Sequence, residues 1–463
     1  MKNRLTPKAA SYTKTINPKA HRPLPFKLNA VSQGLAYTFL AFSLGSMAPV
    51  FAQNNGTAGS GGTAGLGGVG VGGSGSGGNG GSGPVSGATR SGGGGGSGGT
   101  SGSGGLGGND SYSGNAGSKG GAVGATGSVI TGNTAGGTGF TAGSNSKRPA
   151  SGGGGGGVGF WVSGSSSLDN SFNVTGGKGG NGANGYNLTS GGGGGGGAAG
   201  IGGSSSFTLN NSGVITGGTG GNGGATILTG ASGGSGGTGG SGIAGGSFTL
   251  NNSGAISGGS GGTGGSGGSG GATGSNGLCG AGIYVLSGSG VSISNLTGGT
   301  ISGATGAIAA INNAGTINSL VNAQGASSYA LTYAGNLPTN YSIIVNSPTS
   351  YGQLAFTNIT GTNFNFGVDA SSTLAVRTYS DVLQGLSSIN NVTGASGSFA
   401  GGAYTYSLQY DASKGAANDW NLVVSAGAPE IDGSLAPKVG FLLGCLFLMF
   451  GRKKQNTEPM MTA

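Results

Sequence analysis

The sequence predicts an all-β protein: a parallel β-helix, or solenoid, with glycine-rich loops, a β-rich C-terminal cap and a short C-terminal transmembrane helix. Three observations predict this fold. A short motif recurs at a fixed offset, glycine occupies 121 of 463 positions, and aromatic residues gather after about residue 325. Because a glycine inside a helix costs about 1 kcal/mol relative to alanine, this composition excludes helical bundles and coiled coils.

The repeated motif places an apolar residue, an Asn and a Gly before a second apolar residue. Leu168, Leu209 and Leu250 begin three copies, each 41 residues after the last, and looser copies span Ile293–Ile301 and Ile311–Ile317. Such a period is typical of a solenoid, whose stacked coils bury one another's apolar residues. Stacked Asn side chains can form an amide ladder. We expect this ladder to consist of Asn170, Asn211, Asn252 and Asn313.

The remainder of each unit is rich in glycine triplets, as in Gly258–Gly271. The triplets fit flexible loops, and they also fit packed extended helices of polyproline-II type, which have three residues per turn. We favour partly ordered loops, within a repeat region that covers residues 151–325. Residues 53–150 have a similar composition with few apolar side chains, so we expect this low-complexity region to be the least ordered part of the exported chain.

Residues 326–427 have less glycine and more aromatic residues. The alternation in Tyr341–Val345 and Tyr404–Leu408 is typical of short strands separated by turns. A solenoid needs a cap that hides its open end. We expect this region to be that cap.

Residues 1–52 have the order of a secretory signal peptide. A basic stretch precedes an apolar run at residues 35–44, and small residues before Gln53 predict cleavage between Ala52 and Gln53. The run is short for a membrane span of about 20 residues, although an uncleaved N-terminal anchor is the alternative. The expected partners of this segment are signal peptidase and the secretion machinery.

The C-terminal segment, residues 428–463, has three parts. The first is a short motif, followed by an apolar run at residues 435–450 that predicts a short transmembrane helix. A basic cluster follows the run and predicts that this end stays in the cytoplasm. The motif consists of Pro429, Glu430, Ile431 and Asp432, and the basic cluster consists of Arg452, Lys453 and Lys454.

This tail resembles the PEP-CTERM class of bacterial C-terminal sorting signals, in which a Pro-Glu motif precedes a short span and a basic end. Pro429 and Glu430 match the motif, and Ile431 stands where the family has a second Pro. The resemblance implies processing by an exosortase-type membrane protease. A plain C-terminal anchor is the alternative. Either way we expect an exported protein, at the cell surface or outside the cell, with a transient or permanent membrane anchor.

The repeats, together with the segments Tyr351–Leu354, Tyr379–Leu383 and Trp420–Val424, resemble the β-helical passengers of bacterial autotransporter adhesins. The resemblance covers about residues 160–425 and implies a surface-displayed adhesive β-helix. In that family a translocating barrel follows the passenger, whereas here the sorting-like tail stands in its place. A passenger that is secreted by a barrel on another chain is therefore an alternative function.

The net charge of +9 belongs mainly to the two ends of the chain. Between residues 53 and 428 there are seven basic and six acidic residues. No basic surface with interleaved aromatics remains to indicate nucleic-acid binding.

We predict no catalytic residue, no metal site and no cofactor, and therefore no enzyme. The one His, His21, lies in the predicted signal peptide and leaves no His for a Ser–His pair, a zinc site or a general base. A carbohydrate-active β-helix enzyme is the less favoured alternative, because it would need two carboxylates about 5–9 Å apart on one face. We interpret the candidate carboxylates as solvated or turn residues: Asp369, Asp381, Asp411 and Asp419.

The predicted function is therefore structural or adhesin-like, in the bacterial envelope or the extracellular matrix. Ser, Thr and Asn would supply dense hydrogen bonding with little charge. The expected binding partner is an exopolysaccharide or the surface of a host or another cell.

Overall fold

The computed structural model covers most of the repeat region and the aromatic-rich region after it. The described residues are 119–143, 150–185, 190–203, 205–288, 290–361, 363–388, 392–411, 413 and 418–427. They belong to one compact unit, Gln53–Ala463. Within these ranges the chain forms strands and no α-helix, and no helix there is long and apolar enough to cross a membrane. The predicted C-terminal transmembrane helix lies outside the described residues.

Short strands succeed one another along the chain, most of them three to eight residues long. The strands of the glycine-rich region are β1 (Ala125–Gly127), β2 (Thr134–Ala135), β3 (Phe160–Val162), β4 (Ser166–Asn170), β5 (Asn173–Thr175), β6 (Ile201–Gly203), β7 (Phe207–Asn211), β8 (Val214–Thr216), β9 (Ile243–Gly245), β10 (Phe248–Asn252), β11 (Ala255–Ser257), β12 (Ile283–Val285), β13 (Val291–Asn295) and β14 (Thr300–Ser302). The strands after residue 310 are β15 (Ile311–Asn313), β16 (Ile317–Asn322), β17 (Leu331–Asn336), β18 (Asn340–Ile343), β19 (Val345–Ser347), β20 (Ser350–Tyr351), β21 (Leu354–Thr360), β22 (Phe364–Val368), β23 (Arg377–Gln384), β24 (Val392–Thr393), β25 (Ser396–Phe399), β26 (Tyr404–Tyr410) and β27 (Trp420–Ala426).

The strands assemble into three stacked sheets and one small hairpin. The twelve-stranded sheet has the order β1-β3-β6-β9-β12-β15-β17-β21-β23-β27-β26-β25, the eight-stranded sheet β24-β22-β18-β16-β13-β10-β7-β4, and the five-stranded sheet β14-β11-β8-β5-β2. Each full coil contributes one strand to each sheet, and strands of successive coils pair in parallel. The predicted all-β, solenoid-like architecture is confirmed.

The core lies between the three sheets and consists of stacks of equivalent residues. Leu168, Leu209 and Leu250 are direct neighbours on β4, β7 and β10, and all three are fully buried. A fully buried Leu contributes about 1.5–3 kcal/mol relative to an exposed one. Since a single coil leaves these side chains open on both sides, the core exists only where coils are stacked.

The solenoid continues beyond residue 326, where we placed the start of the cap. After β14 the five-stranded sheet ends, but the other two sheets add parallel strands as far as β23 and β24. Tyr341 and Phe366 extend the stack that Leu168 begins, so larger side chains fill a coil with fewer walls. The end is closed by β25, β26 and β27, which pair antiparallel with one another and with β23.

Glycine-rich segments connect the five-stranded sheet to the twelve-stranded sheet and form a two-layered fin. The outgoing layer contains residues 136–142, 176–185, 217–227 and 258–268, and the returning layer contains residues 119–124, 151–159, 190–200, 231–242 and 271–282. Gly176, Gly179 and Gly182 each donate from N to a carbonyl of the next outgoing segment, at 2.8–2.9 Å. Gly177 and Gly180 donate across to the returning layer at 2.7 Å.

Hydrogen bonds thus recur at every third residue, which is the period of a polyproline-II helix. The two glycines of each triplet face neighbouring backbones, and the third residue, such as Lys178, faces solvent. A Cβ atom on Gly195 would lie 2.0 Å from the carbonyl oxygen of Gly154, so only glycine permits this approach. We expected partly ordered loops here; the regular hydrogen bonding instead matches packed extended helices, because each segment is stabilised by neighbours in other coils.

The first coil begins before residue 151, where we placed the start of the repeats. Strands β1 and β2 pair in parallel with β3 and β5, and Gly121 and Gly124 donate hydrogen bonds to the next returning segment. Described residues 119–143 therefore belong to the solenoid and its fin.

Candidate binding surface

The outer face of the eight-stranded sheet carries two straight rows of polar side chains. Since alternate residues of a strand point to opposite faces, the residues between the buried positions form these rows. The first row consists of Ser167, Thr208, Thr249, Ser292, Ser319, Asn340, Asn365 and Thr393. The second row consists of Asp169, Asn210, Asn251, Ser294, Val321, Ser342 and Gly367.

The spacing of the two rows is fixed by the geometry of the sheet. Neighbouring strands lie about 4.8 Å apart, and residues two positions apart on one strand lie about 6.6 Å apart. Thr208 and Asn210 therefore belong to a repeating grid of hydroxyl and amide groups. Every member of the first row is a hydroxyl or amide residue.

Hydrogen bonds between row members hold several of these side chains in place. Asn251 donates from Nδ2 to Oδ1 of Asn210, and Asn210 donates to Oδ1 of Asp169, both at 2.8 Å. In the later coils Thr393 donates to Asn365 at 3.1 Å. The surface is thus ordered before any ligand binds. Asp169 is the only charged residue in the two rows, so the face is almost neutral.

A buried Asn ladder lies beneath this surface, at the corner where the eight-stranded sheet ends. Asn170 donates from Nδ2 to Oδ1 of Asn211 at 2.7 Å, and Asn211 donates in the same way to Asn252 at 2.8 Å. Asn252 continues to Asn295 at 2.8 Å, and Asn295 continues to Asn322 at 3.2 Å. All five side chains are at most 1% exposed. The ladder fixes the corner of every coil that it passes.

The structure places Asn313 outside this ladder. Asn313 ends β15, which belongs to the twelve-stranded sheet, whereas the ladder runs along the eight-stranded sheet. Its Nδ2 donates to the hydroxyl of Tyr333 at 2.9 Å, and its Oδ1 accepts from the backbone N of Gly315 at 3.0 Å. Our prediction for Asn313 is therefore corrected. Asn295, which lies in the longer copy of the motif, takes the position that we assigned to it.

The acidic residues of the C-terminal region serve local turns. Asp369 accepts from the backbone N of Ser371 at 2.9 Å, and Asp411 accepts from the backbone N of Ser413 at 3.0 Å. Asn421 donates to Asp411 at 3.2 Å and accepts from the backbone N of Asp381. Among the residues that the structure describes, no group of three or more His, Cys, Asp or Glu could hold a metal ion.

The predicted processing sites lie outside the described residues. These are the cleavage pair Ala52 and Gln53, the sorting motif Pro429, Glu430, Ile431 and Asp432, and the basic cluster Arg452, Lys453 and Lys454.

Comparison with known proteins gives no relative for this chain: no protein-family model matches it, and no curated protein and no solved structure is significantly similar. The function must therefore be argued from the surface itself.

Proposed function

We propose that the protein is a structural and adhesive component of the bacterial surface or extracellular matrix, exported and processed at both ends. The export signals in the sequence support the location. The observation that carries the function is the neutral grid of hydroxyl and amide groups on the outer face of the eight-stranded sheet. We propose that this grid binds a neutral, hydroxyl-rich polymer such as an exopolysaccharide.

The chemistry of the grid supports such a ligand. Ser, Thr and Asn side chains both donate and accept hydrogen bonds, as sugar hydroxyls do. Each hydrogen bond contributes only about 0.5–1.5 kcal/mol, but a polymer meets many equivalent sites at once, so the binding strength grows through multivalency. A charged polymer would gain little, because Asp169 is the only charge in the two rows.

A carbohydrate-active enzyme would need a second carboxylate near Asp169 on this face. The positions beside Asp169 are Asn210 and Ser167, which cannot replace a carboxylate as acid or base. The favoured role is therefore binding without catalysis. Whether the chain reaches the surface through an exosortase-type pathway or through a separate barrel is decided by its ends.

The binding role is tested by sedimentation of the purified protein with an insoluble neutral glucan and with an acidic polysaccharide. We expect retention by the neutral polymer, and about tenfold weaker binding after Thr208→Val with Thr249→Val, since two hydrogen bonds are lost. The matched control is Thr175→Val with Thr216→Val on the five-stranded sheet. Equal loss in both pairs, or retention by the acidic polymer alone, would overturn the proposed binding surface.

The export role is tested by mass spectrometry of the mature termini in cell-surface and medium fractions. We expect chains that begin at Gln53 and end near Pro429. Intact chains that keep Arg452, Lys453 and Lys454 in the inner-membrane fraction would contradict processing at the C-terminal end.

A further inference from the structure

The twelve-stranded sheet buries an aromatic side chain on its outer face. In β3, Phe160 and Val162 belong to the solenoid core, so Trp161 between them points to the opposite side. Trp161 is nevertheless only 4% exposed. It packs with Val158 and Ala198 in a cluster separate from the core.

The neighbouring strands cannot cover this indole. The residue opposite Trp161 on β6 is Gly202, and the residue beyond it on β9 is Ala244. A Cβ on Gly202 would lie 3.3 Å from Cζ3 of Trp161, so the ring lies against the bare backbone of the next coil. Glycine and alanine supply a floor beneath one face of the ring and nothing above the other. A ring on such a floor would leave its second face in water, yet Trp161 and Ala244 (1% exposed) are both buried.

The returning layer of the fin shows the same burial. Its segments contain Gly152–Gly157 and Gly191–Gly197, six and seven glycines in succession, and every one of these residues is buried. In the outgoing layer the third position of a triplet is exposed, as at Lys178, whereas here Gly155 and Gly193 occupy it. Within the fin glycine marks close approach of a neighbouring backbone. Glycine at all three positions therefore indicates backbone packed on the third side as well.

The covered area has a limit along the solenoid. In the last returning segment Ser275 is exposed and Leu278 is 60% exposed. The covered face is thus centred on the coils of β3, β6 and β9. Its area suits a layer of extended segments and not a full second fin.

We propose that residues 53–118 of this same chain cover this face as a third layer of glycine-rich extended segments. The described chain begins at Lys119, at the edge of the first coil, and the 66 residues from Gln53 to Ser118 precede it within the same compact unit. That length is enough for several segments like 176–185. The occupant is also suited to the face, because Arg90 and Asp110 are its only charged residues.

The sequence of this segment repeats the pattern of the fin. Gly-Gly-x triplets occur at Gly77–Ser82, Gly95–Thr100 and Gly104–Asn109, and they resemble the outgoing triplets of Gly258–Thr263. Apolar side chains that could pack on Trp161 and Val158 are present at Leu66, Val69, Val71 and Leu106. The segment that looks least structured in the sequence is then part of the folded body.

The two tryptophans of the chain make the proposal testable. Trp420→Phe leaves Trp161 as the only tryptophan, and acrylamide quenching then reports whether that ring is covered. In the intact chain we expect blue-shifted emission and quenching several-fold weaker than for free indole. Deletion of residues 53–118 should raise the quenching several-fold and shift the emission to the red. Ready quenching in the intact chain, or unchanged shielding after the deletion, would overturn the proposal.

Two further measurements guard against trivial outcomes. If the deletion variant loses its β-sheet circular dichroism, the full-length substitution of Leu66, Val69 and Val71 by Asp replaces it, with Leu278→Asp as the control on exposed surface. Trypsin should cleave native chains slowly at Arg90, and rapid cleavage there would contradict a packed segment. Shielding of Trp161 that disappears on dilution, together with dissociation of an oligomer, would assign the cover to a second copy and refute the proposal.

Discussion

The carboxamide of Asn211 lies directly above that of Asn170, 41 residues earlier, and the two are joined by a buried hydrogen bond of 2.7 Å from Nδ2 of Asn170. Asn211 also donates to Asn252 and to the backbone carbonyl of Gly213. One side chain therefore joins three coils and fixes its own corner.

Asn211→Ala should destabilise the protein by about 1–3 kcal/mol or more, because it leaves buried partners on both sides without a hydrogen bond. The neighbouring substitution Asn210→Ala is the matched control. Asn210 also bonds to both adjacent coils, but it is exposed, so its loss should change stability by about 0.5 kcal/mol at most. Chemical denaturation measures both. Equal effects would mean that the buried ladder contributes no more than the surface row.

Gly195→Ala should separate the layers of the fin. The new Cβ would lie 2.0 Å from the carbonyl oxygen of Gly154, and the contact is with backbone that cannot rotate away. Overpacking of this kind costs about 1–3 kcal/mol or more. Gly132→Ala is the control, because nothing lies within 4 Å of its new Cβ. Hydrogen exchange of the fin should accelerate in the first variant only; unchanged exchange would indicate that the fin tolerates a side chain there.

The protein should lose stability in alkaline solution. Burial raises the pKa of Tyr333 and of Tyr341 well above the usual value of a phenol, and the hydrogen bond from Asn313 to Tyr333 opposes the shift only in part. Below pH about 10 both phenols are neutral in the folded and the unfolded chain, so their contribution is fully present. Above it the unfolded chain releases these protons while the folded chain holds them, and the free energy of unfolding falls as the pH rises.

The alkaline loss is measured by denaturation at several pH values, with phenolate absorbance as a second signal. Tyr341→Phe should flatten the decline. Tyr329→Phe should not, because Tyr329 is 85% exposed and its phenol meets water in both states. A decline that is identical in the parent and in Tyr341→Phe would assign the alkaline sensitivity to other groups.

Leu422→Ala should open the C-terminal end of the solenoid. Leu422 is fully buried on β27, between β23 and β26. Truncation of a buried Leu costs about 2–5 kcal/mol, and the exposed end should then pair with other molecules. Size-exclusion chromatography and denaturation detect the two effects. Val376→Ala is the control, because Val376 is 61% exposed; a monomeric, stable Leu422→Ala would show that the end closes without this residue.

The repeats predicted the fold because the period is exact where the core is built. Leu168, Leu209 and Leu250 recur at one offset, and stacking of identical coils follows directly from that offset. The assignment of Asn313 failed for a physical reason: the local motif is the same in two sheets, and only long-range pairing decides which corner an Asn occupies. Asn295 has the weaker motif but the right neighbour.

The order of the fin could not be decided from the glycine triplets alone. A single segment such as 176–185 has no internal hydrogen bonds and would be a flexible linker in isolation. Its partners lie 20–40 residues away, at Gly157 and Thr216. Composition describes the segment and says nothing about those partners. The polar rows of the eight-stranded sheet were likewise invisible, since a row is a property of stacked coils.

The 41-residue offset between ladder residues has a genetic consequence. Excision of one whole unit would bring Asn170 beside Asn252, with the same neighbours on every strand and in both layers of the fin. Unequal recombination between copies would therefore lengthen or shorten the protein without disturbing its fold, provided that whole units of 41 codons are exchanged. Related strains should carry alleles that differ in unit number, and the reach of the protein from the cell would vary with them.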